Sequence, residues 1–142
     1  MNPFNIQSFE SSNQRQINLF YRKNSRTVSC NASDMISVAE NEQKIVAVGF
    51  IRTFGESKKT QYRLLRSLFV SENFRGHSIG REITKHLCQR NELDTYTICE
   101  ESLVDYYRSL GFHVTEPHNR LPSTWLKEIK KGLTLMVKPF SS

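Results

Sequence analysis

The chain has 142 residues, nine of them Phe, and a formal net charge of +6 at pH 7. That length suits one domain with a real core, residues 1–142, and the ordinary apolar content excludes a disordered composition. No apolar run approaches a membrane span, the start Met1-Asn2-Pro3-Phe4 lacks a secretory pattern, and Cys30, Cys88 and Cys99 match neither a zinc spacing nor a disulfide framework, so a reducing cytoplasm is the expected setting.

In chain order, residues 4–9 alternate and are predicted as a first strand. Ser11 or Ser12 caps a predicted helix ending about residue 21, with Ile17, Phe20 and Tyr21 on its apolar face. Residues 22–32 are polar and basic and read as a loop or a short second helix. Residues 35–39 and 44–53 are predicted as a hairpin turning at 41–43. A polar turn at 54–59, around Gly55, leads to a fourth strand over 61–70. A helix is expected at 79–90 and a fifth strand at 95–99, parallel to the fourth across the helical crossover. The next helix, 101–110, places Leu103, Tyr107 and Leu110 on one face and stops at Gly111. A sixth strand opens at Phe112-His113-Val114. A short helix from Pro122 or Ser123 carries Trp125, Leu126 and Ile129 and ends at Gly132, and residues 133–137 form the closing strand. The expected fold class is α/β: a mixed sheet of about seven strands with helices on both faces.

The stretch between the fourth strand and its helix carries the chemistry. Val70 to Arg81 holds Gly76 and Gly80, with Arg75 at the loop's mouth and Ile79, Ile83 and Leu87 beginning the helical spacing. A strand, a glycine-containing loop and a helix start make an anion site, because first-turn N–H groups have no internal partners and the helix dipole adds positive charge. Glycine allows positive φ and close approach of a phosphate. Neither a Walker loop nor a Gly-x-Gly-x-x-Gly motif is present.

Arg75-Gly76-His77-Ser78-Ile79-Gly80 resembles the Arg/Gln-x-x-Gly-x-Gly/Ala signature of the GNAT (Gcn5-related) N-acetyltransferases, departing from it at Ser78, where the pattern usually has glycine. A serine held at positive φ costs on the order of 1 kcal/mol. Tyr106-Tyr107-Arg108-Ser109-Leu110-Gly111-Phe112 is similar to the family's second signature. Taken by itself, Tyr107 on a helix face reads as an ordinary core tyrosine.

The resemblance is specific over residues 61–114 and implies a GNAT-like acyl-CoA N-acyltransferase fold, splayed between the fourth and fifth strands. It implies acetyl-CoA as cosubstrate, no metal, and transfer of the acetyl group to a primary amine by direct attack in a ternary complex. Arg75, Gly76, His77, Ser78, Ile79 and Gly80 would grip the pyrophosphate. The backbone of Leu68, Phe69 and Val70 would hold the pantetheine, with the Leu68 N–H polarising the acetyl carbonyl. Tyr107 would be the proton donor to the leaving thiolate, and Arg81 would sit near the nucleotide's phosphates. Many family members carry a carboxylate base on the fourth strand; this one has Arg63 and Arg66 but no acid there, so Glu100 or ordered water is the substitute.

That gap leaves a non-catalytic CoA-binding regulatory module as the alternative. The positive charge also admits a nucleic-acid-binding domain, which the scatter of Lys and Arg disfavours. The acceptor, a small molecule or a protein amine, is not specified by any motif, although Arg22, Lys23 and Arg26 hint at one with an acidic part. The family also makes homodimers, which this sequence neither requires nor forbids, and no membrane partner is expected.

Overall fold

A computed structural model of the chain describes residues 4–9, 14–55 and 61–140. Ser11 and Ser12, the expected helix cap, and residues 56–60 of the polar turn lie outside the described residues. Seven strands, β1 (Asn5–Phe9), β2 (Met35–Asn41), β3 (Lys44–Phe54), β4 (Tyr62–Val70), β5 (Thr95–Cys99), β6 (His113–Val114) and β7 (Thr134–Lys138), form a mixed sheet in the order β1-β2-β3-β4-β5-β7-β6. The α-helices are α1 (Gln14–Lys23), α2 (Ile79–Arg90), α3 (Val104–Ser109) and α4 (Ser123–Lys130). β4 and β5 run parallel, paired at Arg63↔Thr95 and Leu64↔Tyr96. β1–β2, β2–β3, β5–β7 and β6–β7 are antiparallel. The expected α/β mixed sheet is present. The chain packs as two compact units, Met1–Arg52 with Arg66–Arg90, and Thr53–Leu65 with Asn91–Ser142.

In the first unit, the period of two along each strand sends side chains to two helices. Ile36 and Val38 of β2 and Val48 and Phe50 of β3 pack with Ile17, Phe20 and Tyr21 of α1. The intervening Ser37 serves α2: its hydroxyl lies 2.7 Å from His86 Nδ1 and accepts from Arg90 at 3.0 Å. Helices therefore cover both faces here, as the sequence led us to expect. Gly49 makes room on the α2 side, since a Cβ there would lie 3.0 Å from Ile83, 3.2 Å from Leu68 and 3.3 Å from Leu87.

The polar stretch after α1 resolves as loop, with no second helix among the described residues. Side chains of α1 fix it: Asn18 Oδ1 accepts the Cys30 N–H at 2.8 Å and Asn18 Nδ2 donates to the Cys30 carbonyl at 3.3 Å. Asp34, its side chain fully buried, pairs with Arg52 at 2.7 Å. Burial pushes the Cys30 thiol up to about 11, with nearby Asp34 adding to the effect.

In the second unit, Trp125 of α4 is 2 % exposed and sits among Leu64, Leu121 and Leu135. Its ring centroid lies 5.3 Å from that of Phe54 and 5.6 Å from that of Tyr96. The helix expected over 101–110 is instead divided. Glu101–Leu103 is a turn of 3-10 helix and α3 begins at Val104. Leu103, placed by its spacing on the apolar face, is exposed; the tighter 3-10 turn rotates it out, and Val104 takes the buried position. Gly111 ends the segment at φ +100, with its N–H on the Arg108 carbonyl at 3.0 Å and the Phe112 N–H on the Tyr107 carbonyl at 3.1 Å. These two bonds are the Schellman pattern.

Candidate functional site

The loop between β4 and α2 is built for close approach of a ligand. After Val70, the Ser71 N–H bonds the Val46 carbonyl at 2.8 Å, and Glu72–Phe74 make a 3-10 turn. Gly76 stands at φ +85 with nothing within 4 Å of where a Cβ would project. Ser78 stands at φ +61, so the position where the family pattern has glycine does take the left-handed conformation, and the serine bears its cost. Its carbonyl accepts the Glu82 N–H at 3.1 Å, which starts α2. Among the described residues, no backbone carbonyl takes the N–H groups of residues 76–80. Those donors, with the positive end of a 12-residue helix behind them, suit an anion. His77 is exposed, with its ring 5.8 Å from that of Phe4, while Ile79 and Gly80 are buried. Arg81 is exposed on the first turn of α2.

Arg75 is folded back rather than extended. Its Nε donates to the Val70 carbonyl at 3.0 Å, and its guanidinium lies 5.2 Å from the centre of the Phe69 ring. Arg75, Phe69 and Val70, singled out separately in the sequence, thus touch. Leu68 and Phe69 point to opposite faces: Leu68 toward Ile83 and Leu87 of α2, Phe69 toward Phe20 of α1, ring centroids 6.1 Å apart. Just before them, Ser67 adopts φ +55 within β4. The Tyr21 hydroxyl donates to its carbonyl at 2.7 Å. A left-handed residue interrupts the regular strand and redirects the backbone of residues 68–70. Sequence reasoning missed this kink, since no glycine marks it.

In the second unit, α3 carries Tyr107, partly buried, with Phe112 edge-on at 5.6 Å and Tyr106 at 5.3 Å. Burial pushes the Tyr107 phenol up to about 12; Tyr106 and Cys99 add to the rise, and a hydrogen bond with Thr97 works against it. The group stays protonated across the physiological range, but it is a weaker acid than the ordinary phenol expected from sequence. Thr97, 2 % exposed, donates to the Leu65 carbonyl at 3.3 Å. It too was missed, although the alternation Thr95, Thr97, Cys99 puts it on one face of β5. Cys99 has its thiol raised by burial and then by Glu100, which makes it a poor nucleophile. Glu100 is exposed directly after β5; its carbonyl accepts the Leu103 N–H at 2.9 Å, and its carboxylate makes no cap bond to the turn.

A family model described as an acetyltransferase (GNAT) domain matches residues 32–114. Among solved structures, N-acetylglutamate synthase from Neisseria gonorrhoeae, complexed with coenzyme A and N-acetyl-glutamate, aligns over 100% of this chain with a TM-score of 0.73 at 11% identity. This chain spans 36% of that protein's length. A GNAT-family acetyltransferase from Staphylococcus aureus aligns over 97% of this chain and 99% of its own, with a TM-score of 0.66 at 17% identity. Arabidopsis thaliana Naa50, in complex with a bisubstrate analogue CoA-Ac-MVNAL, aligns over 98% of this chain and 100% of its own, with a TM-score of 0.69 at 16% identity. These likenesses show a shared fold. No curated protein sequence matches the chain. Among the described residues, no helix is long and apolar enough to cross a membrane.

Proposed function

The chain belongs to the GNAT acetyltransferase family, and on that footing we propose that residues 1–142 act as one catalytic domain that transfers the acetyl group of acetyl-CoA to a primary amine. The observation that carries this reading is the loop at residues 76–80, with two left-handed residues and a run of N–H groups at the start of α2 that, among the described residues, no backbone carbonyl takes. A diphosphate is the ligand such a cradle suits. Arg75 and the amides of Gly76, His77, Ser78, Ile79 and Gly80 hold the pyrophosphate. Arg81 lies near the nucleotide's phosphates. The backbone of Leu68, Phe69 and Val70, redirected by the kink at Ser67, pairs with the pantetheine amides.

In the reaction, the amine's lone pair attacks the thioester carbonyl carbon and the carbonyl electrons move to oxygen, where the Leu68 N–H stabilises them. The intermediate collapses, the carbon–sulfur bond breaks, and sulfur takes the electron pair. Tyr107 supplies a hydrogen bond and then its proton to the thiolate. Because its pKa lies above that of an ordinary thiol, transfer to sulfur is uphill by itself, so the hydrogen bond to the departing sulfur comes first and the proton follows only as the phenol is resupplied. The nitrogen loses a proton to Glu100 or, through water, to solvent, and the phenolate takes one back from solvent. Positioning supplies most of the acceleration.

The test is release of free thiol from acetyl-CoA by the purified chain against a broad set of amines, alongside calorimetric binding of acetyl-CoA. Binding with transfer supports the enzyme. Tight binding with no transfer to any amine leaves a CoA-binding regulatory module, the reading that the missing acid on β4 favours.

A further inference from the structure

We propose that Arg26 and Arg75, sharing the ring of Phe69, bind an anionic group on the amine acceptor, so that the preferred substrates are amines carrying a carboxylate or a phosphate. This rests on the acetyltransferase reading above and names the substrate class for that site.

The two guanidinium carbons each lie 5.2 Å from the centre of the Phe69 ring, so they stand no further apart than twice that distance. Each gains from the ring's negative face. Two like charges beside one ring nonetheless repel, and the ordinary remedy, a carboxylate between them, is missing among the described residues. Among the described residues, Arg52 pairs with Asp34, Arg108 with Asp105 and Lys131 with Glu128, whereas neither Arg26 nor Arg75 has such a pair. An anion lying against both guanidinium groups relieves the repulsion and meets planar donor forks suited to carboxylate or phosphate.

Before any ligand arrives, the Arg75 side chain and the backbone that carries Arg26 are fixed. The Arg26 N–H donates to the Tyr21 carbonyl at 2.9 Å, after a left-handed Ser25 at φ +60 that ends α1. Arg75 is fixed through its Nε on the Val70 carbonyl. Phe69 is braced by Phe20. Ordering costs at Arg75 and Phe69 are therefore small.

The position separates this anion from the cosubstrate's diphosphate. The diphosphate's donors are amides at the start of α2, the helix that Leu68 faces. Arg26 lies on the other face, with Phe69 and the end of α1. Arg75 belongs also to the loop assigned to the diphosphate, so Arg26 is the residue whose loss tests the acceptor site alone.

The experiment compares matched amines under acetyl-CoA saturation: β-alanine against β-alaninamide, phosphoethanolamine against ethanolamine, and putrescine as a cationic control. At least one anionic member should exceed its neutral partner by about tenfold or more in kcat/KM, and which pair responds identifies carboxylate or phosphate. Arg26→Ala should erase that preference by raising KM, with acetyl-CoA affinity within about twofold of wild type, and Arg26→Lys should restore part of it. Preference for neutral or cationic amines would overturn the inference. So would transfer to no anionic member by a chain that binds acetyl-CoA, or a loss at Arg26→Ala confined to acetyl-CoA affinity, which would assign Arg26 to the cosubstrate. A wild-type chain that binds no acetyl-CoA removes the underlying reading instead.

Discussion

The Tyr21 hydroxyl, at the end of α1, donates a 2.7 Å hydrogen bond to the carbonyl of Ser67, the left-handed residue of β4. Tyr21 is 0% exposed, so its hydroxyl has no water as a substitute, while Ser67 is only partly buried. Tyr21→Phe keeps the ring packing against Phe50 and leaves the Ser67 carbonyl unpaired. The expected loss is about 1–3 kcal/mol in urea denaturation with an unchanged m value. A loss below about 0.5 kcal/mol would mean that the kink does not depend on this bond.

Gly76 offers a way to block the loop without disturbing the core. Nothing lies within 4 Å of a Cβ there, so Gly76→Asp meets only the penalty of φ +85, roughly 1 kcal/mol. The new carboxylate faces the region assigned to the diphosphate. Acetyl-CoA affinity should fall by at least about tenfold while the melting curve shifts by only a few degrees. Undiminished affinity would count against the assignment of this loop.

Tyr107→Phe removes the proposed proton donor and keeps the ring against Phe112. Turnover should fall by about tenfold or more, with acetyl-CoA affinity within about twofold. The same variant has an alkaline signature. The Tyr107 phenol is raised from 10.0 to about 12, so its contribution to stability is full below pH 10 and is lost as pH rises toward 12. Tyr107→Phe should make the decline over that window shallower, although the buried Tyr21, also raised, continues to contribute.

Gly49 sets where Leu68 and α2 pack. An added Cβ would approach Ile83 at 3.0 Å and Leu68 at 3.2 Å, both side-chain contacts in a tight core. Gly49→Ala should destabilise by about 1–3 kcal/mol and weaken acetyl-CoA binding through displaced Leu68. A neutral effect on both would show that the region repacks freely.

Much of this architecture was legible residue by residue. α2 at Ile79–Arg90 and β5 at Thr95–Cys99 match their expected bounds, because the first follows a glycine loop with clear four-residue spacing and the second is a β-branched run closed on both sides by polar residues. The hairpin turn expected at 41–43 falls on Glu42 and Gln43, with Asn41 ending β2, and both hold positive φ without a glycine. Ser67 was not legible for the same reason: a serine at φ +55 is chosen by its surroundings rather than by its own preference. Leu103 was misplaced because a 3-10 start breaks the 3.6-residue period at the segment's head. That Arg26 and Arg75 meet on Phe69 depends on which way β4 turns its side chains after the kink, which sequence spacing alone does not encode.

Nitrogen-15 amide shifts during titration with acetyl-CoA give the most direct test of the claim that backbone N–H groups hold the diphosphate. The largest changes are expected at Gly76, His77, Ser78, Ile79 and Gly80, with a second group at Leu68, Phe69 and Val70. Saturable binding that leaves the residue 76–80 amides unmoved, or no binding at all, would contradict it.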